Sequence, residues 1–276
     1  MVTERERFHG EVLKRQIVTF NEVEEIIQQT RPNLIRKVIH DVYVAPLIKQ
    51  NKLMRIRRGL FLGLPLGYSN DQPLDFDKFL LAAKIRGKQG VLAYHSALEF
   101  YGCAYNEFNE ILLGVKTYFT PFTVGRIEVR PVFLPKSGLG IVERTIPNNV
   151  KVKVTSRERT FLDCLNHVDY SGGWEECLKS FESLGGLDFK KLIALMSSMS
   201  VGQLLIRKAG FILEVLRDHS IYYQDVLERQ LKKLESWLSP SKLYIDKSSR
   251  KEKNELILRW KLYTPHNFLE TNLRGI

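Results

Sequence analysis

Residues 31–62 decide how the first part of the chain folds, and they read RPNLIRKVIHDVYVAPLIKQNKLMRIRRGLFL. The first half has apolar residues at helical spacing. The second half alternates basic and apolar residues up to Arg58-Gly59, a pair typical of a β-hairpin turn. The stretch contains eight basic residues and one acid, a net charge of +7. A basic helix followed by a basic hairpin predicts a winged helix-turn-helix.

Two helices are predicted before this stretch. Residues 4–15 have apolar side chains at helical spacing. Thr19 and Glu22 can form a capping box at the start of the second helix, and Pro32 ends that helix because it disfavours helical geometry at the preceding residue. Asn33 is predicted to cap a third helix. The buried face of this third helix is predicted to consist of Leu34, Ile35, Val38, Ile39 and Val42.

Pro46 conflicts with a continuous third helix, because a proline inside a helix costs ~3 kcal/mol. Two outcomes remain open. The helix ends near Ala45 and restarts with Pro46 in its first turn, or it continues with a kink at Pro46.

The outer face of the third helix and the wing form a candidate DNA-binding surface. Basic side chains neutralise phosphates there, and polar side chains bind base edges in the major groove. A solvated basic face is the alternative interpretation, since most charge runs are no more than that. A single winged helix contacts few base pairs, so double-stranded DNA with repeated half-sites is the expected partner. The predicted DNA-binding residues are Arg31, Asn33, Arg36, Lys37, His40, Lys52, Arg55, Arg57 and Arg58.

The length of the chain favours two domains, because 276 residues exceed the ~100–200 typical of one. Turn-forming residues over 63–75 predict a linker, which divides the chain into residues 1–68 and 74–276. Strand patterns between residues 110 and 155 precede a largely helical region and a basic tail. The predicted fold class is α+β, with an N-terminal winged helix-turn-helix and a larger mixed domain whose C-terminal part is helical.

Composition limits the location and the partners. No apolar run approaches the ~20 residues that span a bilayer, and the N-terminus is charged, so no membrane partner is expected. Three cysteines without CxxC spacing fit a reducing cytoplasm. The net charge of +11 indicates an anionic partner.

Three segments resemble the AbiEi family, the antitoxins of type IV toxin–antitoxin (abortive infection) systems. They are LMRIRRGLF at residues 53–61, YHSALEFYG at 94–102 and VTSRERTFLD at 154–163, and the resemblance covers about residues 15–218. It implies an N-terminal domain that binds DNA and represses its own operon. It also implies a C-terminal domain that counters a nucleotidyltransferase toxin. The antitoxin motif that the resemblance points to consists of Ser156, Glu158, Arg159, Thr160 and Asp163.

The same motif has a purely structural interpretation. Thr155 or Ser156 can open a helix, and Glu158 can fold back to complete a capping box. Arg159 and Asp163 are four residues apart, so they can pair on the helix surface. A structural helix start and a contact with toxin or DNA therefore both remain open for this segment.

Enzymatic activity is not expected, and neither is a cofactor. The sequence contains no GxSxG motif, no phosphate-binding loop and no dinucleotide-binding glycine motif. Cys164, His167 and Cys177 are too few for a zinc site.

Two alternatives remain for the function. In the first, the chain is a metal-dependent nuclease, with Glu128 and either Glu107 or Glu110 holding Mg²⁺; Arg130 then stands where the catalytic lysine is expected. In the second, the chain is a transcription factor without a toxin partner.

Overall fold

The N-terminal part is a winged helix-turn-helix, as the sequence predicts. The computed structural model describes residues 3–69, 71–85 and 90–273. The N-terminal strands form an antiparallel sheet in the order β1-β3-β2, with the β2–β3 hairpin as the wing. The elements are α1 (Glu4–Arg15), β1 (Ile17–Thr19), α2 (Phe20–Gln28), α3 (Arg36–Ile39), α4 (Ala45–Lys49), β2 (Leu53–Arg57) and β3 (Leu60–Gly63).

The larger part is built on a six-stranded mixed sheet, which confirms the α+β class. Its strand order is β6-β7-β5-β4-β9-β8, with β4/β9 and β5/β7 parallel and the other pairs antiparallel. The elements as far as the last strand are α5 (Lys78–Ile85), β4 (Val91–Leu92), α6 (His95–Phe100), β5 (Glu110–Val115), β6 (Phe122–Val124), β7 (Ile127–Phe133), β8 (Ile141–Ile146) and β9 (Val150–Thr155).

Helices follow this sheet, and a second small sheet lies near the end of the chain. The helices are α7 (Arg157–Asn166), α8 (Trp174–Leu184), α9 (Phe189–Met199), α10 (Gln203–His219) and α11 (Glu228–Glu235). The last elements are β10 (Leu243–Tyr244), β11 (Asn254–Ile257), β12 (Leu262–Pro265) and α12 (Phe268–Asn272), with strand order β10-β12-β11. Within the described ranges, no helix has both the length and the apolar character needed to cross a membrane.

The predicted third helix is continuous over residues 36–49, where α3, a π turn and α4 follow one another. Neither of the two outcomes expected at Pro46 describes it fully. Residues 40–44 form a π turn between α3 and α4, in which the Ala45 N–H donates to the His40 carbonyl five residues back. Pro46 lies in the first turn of α4, but the helix does not end before it. A π turn holds one residue more than an α turn, and this wider turn accommodates a proline that cannot donate.

The π turn also changes which face of the helix is buried. Val42, which is predicted to be buried, lies in the π turn and is 38% exposed. Ile35 is also predicted to be buried, but it precedes the first helical residue and is 65% exposed. Asn33 has a φ of +75° and does not cap the helix; Ile35 is the N-cap residue and makes no capping hydrogen bond with its side chain. The extra residue rotates the following turn, so Val44, five residues after Ile39, is buried beside Tyr43. The buried side chains are Ile39, Tyr43, Val44 and Leu47.

The N-terminal and larger parts share one hydrophobic cluster. The cluster contains Ile17 of β1 and Leu81 of α5. It also contains Leu60 and Leu62 of the wing strand β3, and Leu64, which follows that strand. A flexible linker over residues 63–75 implies few contacts between its two sides, and this shared cluster contradicts that expectation. Residue 70 of the predicted linker lies outside the described residues. The division into residues 1–68 and 74–276 stays a prediction.

The basic tail folds back onto the helices through its apolar residues, while five of its cations stay exposed: Lys242, Lys247, Arg250, Lys251 and Lys253. Trp260 is fully buried, and its ring packs against Gly210 in the middle of α10. Its indole N–H donates to Glu214 at 2.6 Å. Arg259 forms ion pairs with Glu214, Glu228 and Glu235, so its charge is neutralised within the chain.

Candidate nucleic-acid interface

The start of the third helix is fastened to α2. Arg36 donates to the Asn21 side chain at 2.9 Å and pairs with Glu24 at 3.0 Å. Its guanidinium carbon also lies 4.8 Å from the centre of the Phe20 ring. Arg36 is therefore positioned, and partly neutralised, before any ligand is bound.

Phe20 connects this helix start to the wing. The backbone N–H of Phe20 donates to the Gly59 carbonyl at 2.8 Å, and its ring lies 6.4 Å from that of Phe61. Gly59 has a φ of +75°, which favours glycine at the turn. The wing tip, the start of α2 and Arg36 therefore lie together.

Arg55 and Arg57 do not share one face of the wing, although alternation with Ile56 predicts that they do. A β-bulge interrupts the β2–β3 register between them. Arg55 is exposed, whereas Arg57 is half-buried. The guanidinium carbon of Arg57 lies 5.1 Å from the Phe122 ring and 5.6 Å from the Phe119 ring. Arg57 therefore packs on the larger part of the chain.

Three other residues that are predicted to bind DNA are paired with an acid or partly buried. Arg31 pairs with Glu4 at 3.1 Å, and the hydrogen bond between them raises the pKa of Arg31 and lowers that of Glu4. His40 lies 2.9 Å from Asp41, and Lys52 is half-buried.

Four exposed cations on the third helix and the wing have no ion-pair or hydrogen-bond partner among the residues that the structure describes. Three of them, Lys37, Arg55 and Arg58, were predicted to bind DNA. The fourth, Lys49, belongs to the same basic stretch but is not among the residues predicted to bind DNA. A surface cation without a neighbouring acid is available to a phosphate. The four residues are Lys37, Lys49, Arg55 and Arg58.

The antitoxin motif begins with a helix cap. Ser156 accepts from the Arg159 N–H at 3.2 Å. Glu158 is the second helical residue, so it does not complete the predicted capping box. It accepts instead from the Ser156 hydroxyl at 2.9 Å and from the Asp188 N–H at 3.1 Å, which joins the starts of α7 and α9.

The rest of the motif is buried, which corrects the prediction of a surface pair. Arg159 has no exposed surface, and its Nε lies 2.8 Å from both carboxylate oxygens of Asp163. The guanidinium also donates to the Pro135 and Leu139 carbonyls at 2.5 and 3.1 Å. Burial raises the pKa of Asp163 to about 6, although Arg159 acts to lower it. This pair fastens the loop before β8 to α7.

Thr160 is also internal. Its hydroxyl lies 2.7 Å from that of Thr155, and neither side chain is exposed. Of the motif, only Ser156 and Glu158 line accessible space, an open cleft of about 470 Å³ that Arg144, Arg157 and Lys191 also border. Any partner that touches this motif touches it through the cleft.

The residues proposed for a nuclease site or a zinc site do not form a metal site in the part of the chain that the structure describes. Glu110 and Glu128 are register partners on β5 and β7, but Glu110 forms an ion pair with Arg130. Over the described ranges, no group of three His, Cys, Asp or Glu side chains is placed to hold a metal ion. Cys164 and Cys177 are fully buried, and burial raises the pKa of both thiols.

A buried polar network that the sequence does not predict surrounds His95. The His95 ring stacks on Phe108 at 3.8 Å, and its Nε2 lies 3.1 Å from Glu176. Glu99 pairs with Lys78 at 2.7 Å and accepts from the Phe108 N–H at 2.7 Å. These contacts hold the loop before β5 against α6 and α8.

Comparison with known proteins adds evidence on the fold. No protein-family model matches the chain, and no curated protein matches it. Solved structures share its fold, and one of them covers most of the chain. It is the crystal structure of the RV2827C protein from Mycobacterium tuberculosis, with a TM-score of 0.63 and 11% sequence identity over 94% of this chain and 89% of that one. At this identity the likeness shows the fold alone, and it spans both the winged helix and the larger part.

Proposed function

We propose that this chain is a DNA-binding transcriptional regulator that contacts double-stranded DNA with its third helix and its wing. The observation that carries the proposal is the set of four unneutralised cations on these elements, while nearby Arg31 and Arg36 are held in ion pairs. A winged helix-turn-helix presents the same two elements to DNA. In this proposal the chain acts in the cytoplasm, without catalysis.

The two elements have different roles in the proposed complex. Lys37 and His40 lie on the exposed side of the third helix, where they meet base edges in the major groove. Arg55 and Arg58 on the wing bind phosphates, which fixes the register of the protein on the duplex. Repeated half-sites in the operator then supply the sequence discrimination that one winged helix lacks.

A second activity, neutralisation of a nucleotidyltransferase toxin, rests on the resemblance to AbiEi antitoxins. The observation that favours it is the open cleft beside Ser156 and Glu158, with Arg144 and Lys191 at its border. We expect Arg144→Ala/Lys191→Ala to lose protection against a co-expressed cognate toxin while promoter repression is kept. If protection is unchanged in a stable double variant, the cleft has no part in neutralisation.

The DNA-binding proposal is tested by gel shift on the DNA upstream of the chain's own gene. We expect a sequence-specific complex, and Lys37→Ala/Arg55→Ala/Arg58→Ala should abolish it. The matched control is Lys190→Ala/Lys232→Ala/Lys251→Ala, which removes the same charge from exposed positions outside the winged helix. Equal losses in the two triple variants would mean that net charge alone binds DNA. No loss in the first would refute the assignment of these elements.

A further inference from the structure

The wing is joined by direct contacts to a loop in the larger part of the chain. On one side, the wing tip touches Phe20, which lies under Arg36. On the other side, Arg57 packs on the rings of Phe119 and Phe122. The loop over residues 116–121, which connects β5 to β6, is therefore the wing's neighbour.

The contact with Arg57 fixes the position of this loop. Phe119 is buried and forms part of the cluster that the wing strand β3 and helix α5 share. One guanidinium nitrogen of Arg57, Nη1, is buried without a hydrogen-bond partner in the described part of the chain, so its contacts are with the aromatic rings. The planar guanidinium of Arg57, packed on two aromatic rings, holds the loop beside the wing. The exposed cations of the wing, Arg55 and Arg58, take no part in this contact.

The exposed side of the loop has the chemistry of a phosphate contact. Lys116 is exposed, and Tyr118 is 70% exposed. Residues 116–127 contain two basic residues and no acid. Lysine and tyrosine both donate to phosphate oxygens, and a large aromatic side chain at the surface, next to a basic element, is otherwise unexplained.

We propose that the loop over residues 116–121 is an additional DNA-contacting element, in which Lys116 and Tyr118 bind the phosphate backbone beyond the wing. This inference rests on the proposed function, since it extends the same surface. Its ligand is the sugar–phosphate backbone of duplex DNA, which the loop contacts without regard to sequence. The larger part of the chain then adds affinity, while the third helix supplies specificity.

The test is fluorescence anisotropy across a salt series with two labelled duplexes. One duplex comes from the DNA upstream of the chain's own gene, and the other is a scrambled duplex of equal length. Loss of one phosphate contact lowers the slope of log K against log salt by about 0.9, so Lys116→Ala/Tyr118→Ala should bind roughly 5- to 10-fold more weakly at about 0.1 M salt. The loss should be equal on both duplexes.

The control is Lys190→Ala, an exposed lysine on α9, which should keep the wild-type slope. If the wild type binds neither duplex, the proposed function itself fails. If the wild type binds and the Lys116→Ala/Tyr118→Ala variant keeps the wild-type slope and affinity, only the loop contact is overturned. A loss confined to the upstream duplex would also overturn it, because that pattern indicates base contacts.

Discussion

Two arginines of the predicted sites act inside the protein. Arg57 packs on Phe119 and Phe122, and Arg159 is enclosed with Asp163 and three backbone carbonyls. In both cases the sequence singles out the arginine as a candidate site residue, but it does not indicate that the side chain is buried. A β-bulge turns Arg57 away from the face of Arg55, and no period in the sequence encodes that bulge. Basic residues in a motif are therefore weak evidence for a contact until their burial is known.

The buried Asp163 should make stability depend on pH. Its pKa in the folded chain is about 6, against a usual value of 3.8, so the folded state binds more protons than the unfolded state between these values. The contribution of Asp163 to stability therefore falls as pH rises from about 4 to about 7, by about 2–3 kcal/mol. Urea unfolding of wild type and Asp163→Asn across this range measures it. A constant difference between the two proteins would contradict the prediction.

Gly210 should be intolerant of even one added methyl group. A Cβ at this position would lie 2.0 Å from the Trp260 ring, which has no free space because the side chain is fully buried. Glycine-to-alanine changes inside helices usually stabilise by about 0.5–1 kcal/mol, but here we expect a loss of about 1–3 kcal/mol or more. Gly10→Ala in α1 is the control, because nothing lies within 4 Å of its added Cβ. Thermal unfolding that shows Gly210→Ala at least as stable as Gly10→Ala would refute this packing.

At the scale of elements, the sequence predicts a structural feature correctly where the interacting residues lie within one turn of each other. The Thr19–Glu22 capping box is present as predicted, and the wing turns at Arg58-Gly59. Val91 and Leu92 lie just before helix α6, but they form a strand that pairs with β5 and β9. That pairing depends on strands more than 20 residues away, which no local pattern contains.

The third helix shows how one extra residue defeats a periodic prediction. Its buried positions are Ile39, Tyr43, Val44 and Leu47, spaced by four, five and eight residues from the first. A regular helix buries positions three, four, seven and eight residues on, so only Val44, five residues on, departs from that pattern. The π turn absorbs the difference, and it places Lys49 in the exposed basic set.

This interpretation predicts a coupling between Val42 and Pro46. Deletion of Val42 restores regular helical spacing, but it brings the Pro46 ring against the carbonyl four residues earlier, at a cost of ~3 kcal/mol. Pro46→Ala should therefore recover about that much in the deletion background and much less in the full-length helix. Urea unfolding of the four proteins measures the coupling. Equal effects of Pro46→Ala in both backgrounds would rule out a role of the π turn in accommodating proline.

At the scale of the whole molecule, the winged helix is part of a larger core. Ile17 and Leu62 pack with residues of α5 and of the central sheet. Glu22 of α2 pairs with Lys84 of α5, and the Asp77 N–H donates to Gln16 at 3.1 Å. Turn-rich composition identified a connecting segment, but it could not reveal that the two sides of that segment bury each other's apolar residues.

The fragment 1–68 should consequently be unstable alone. It would expose Ile17, Leu60, Leu62 and Leu64, all of which are buried in the full chain. Burying such side chains is worth about 1.5–3 kcal/mol each, a large share of the stability of a domain this small. Circular dichroism and amide NMR dispersion of the fragment are the measurements. A cooperatively folded fragment that binds DNA as tightly as the full chain would show that the shared core is dispensable.

The central claim, that the third helix and wing face DNA, is tested most directly by affinity cleavage. The native Cys103, Cys164 and Cys177 are buried, and burial raises the pKa of Cys103 to about 11, so an introduced surface cysteine can be labelled selectively with iron–EDTA. Gln50→Cys places the label at the exposed end of the third helix, and Lys190→Cys places it on α9.

With the upstream duplex bound, the label at position 50 is predicted to cut the DNA at a few adjacent nucleotides in each half-site, whereas the label at position 190 leaves it intact. Cleavage from position 190 alone, or a bound duplex that the label at position 50 does not cut, would contradict the account.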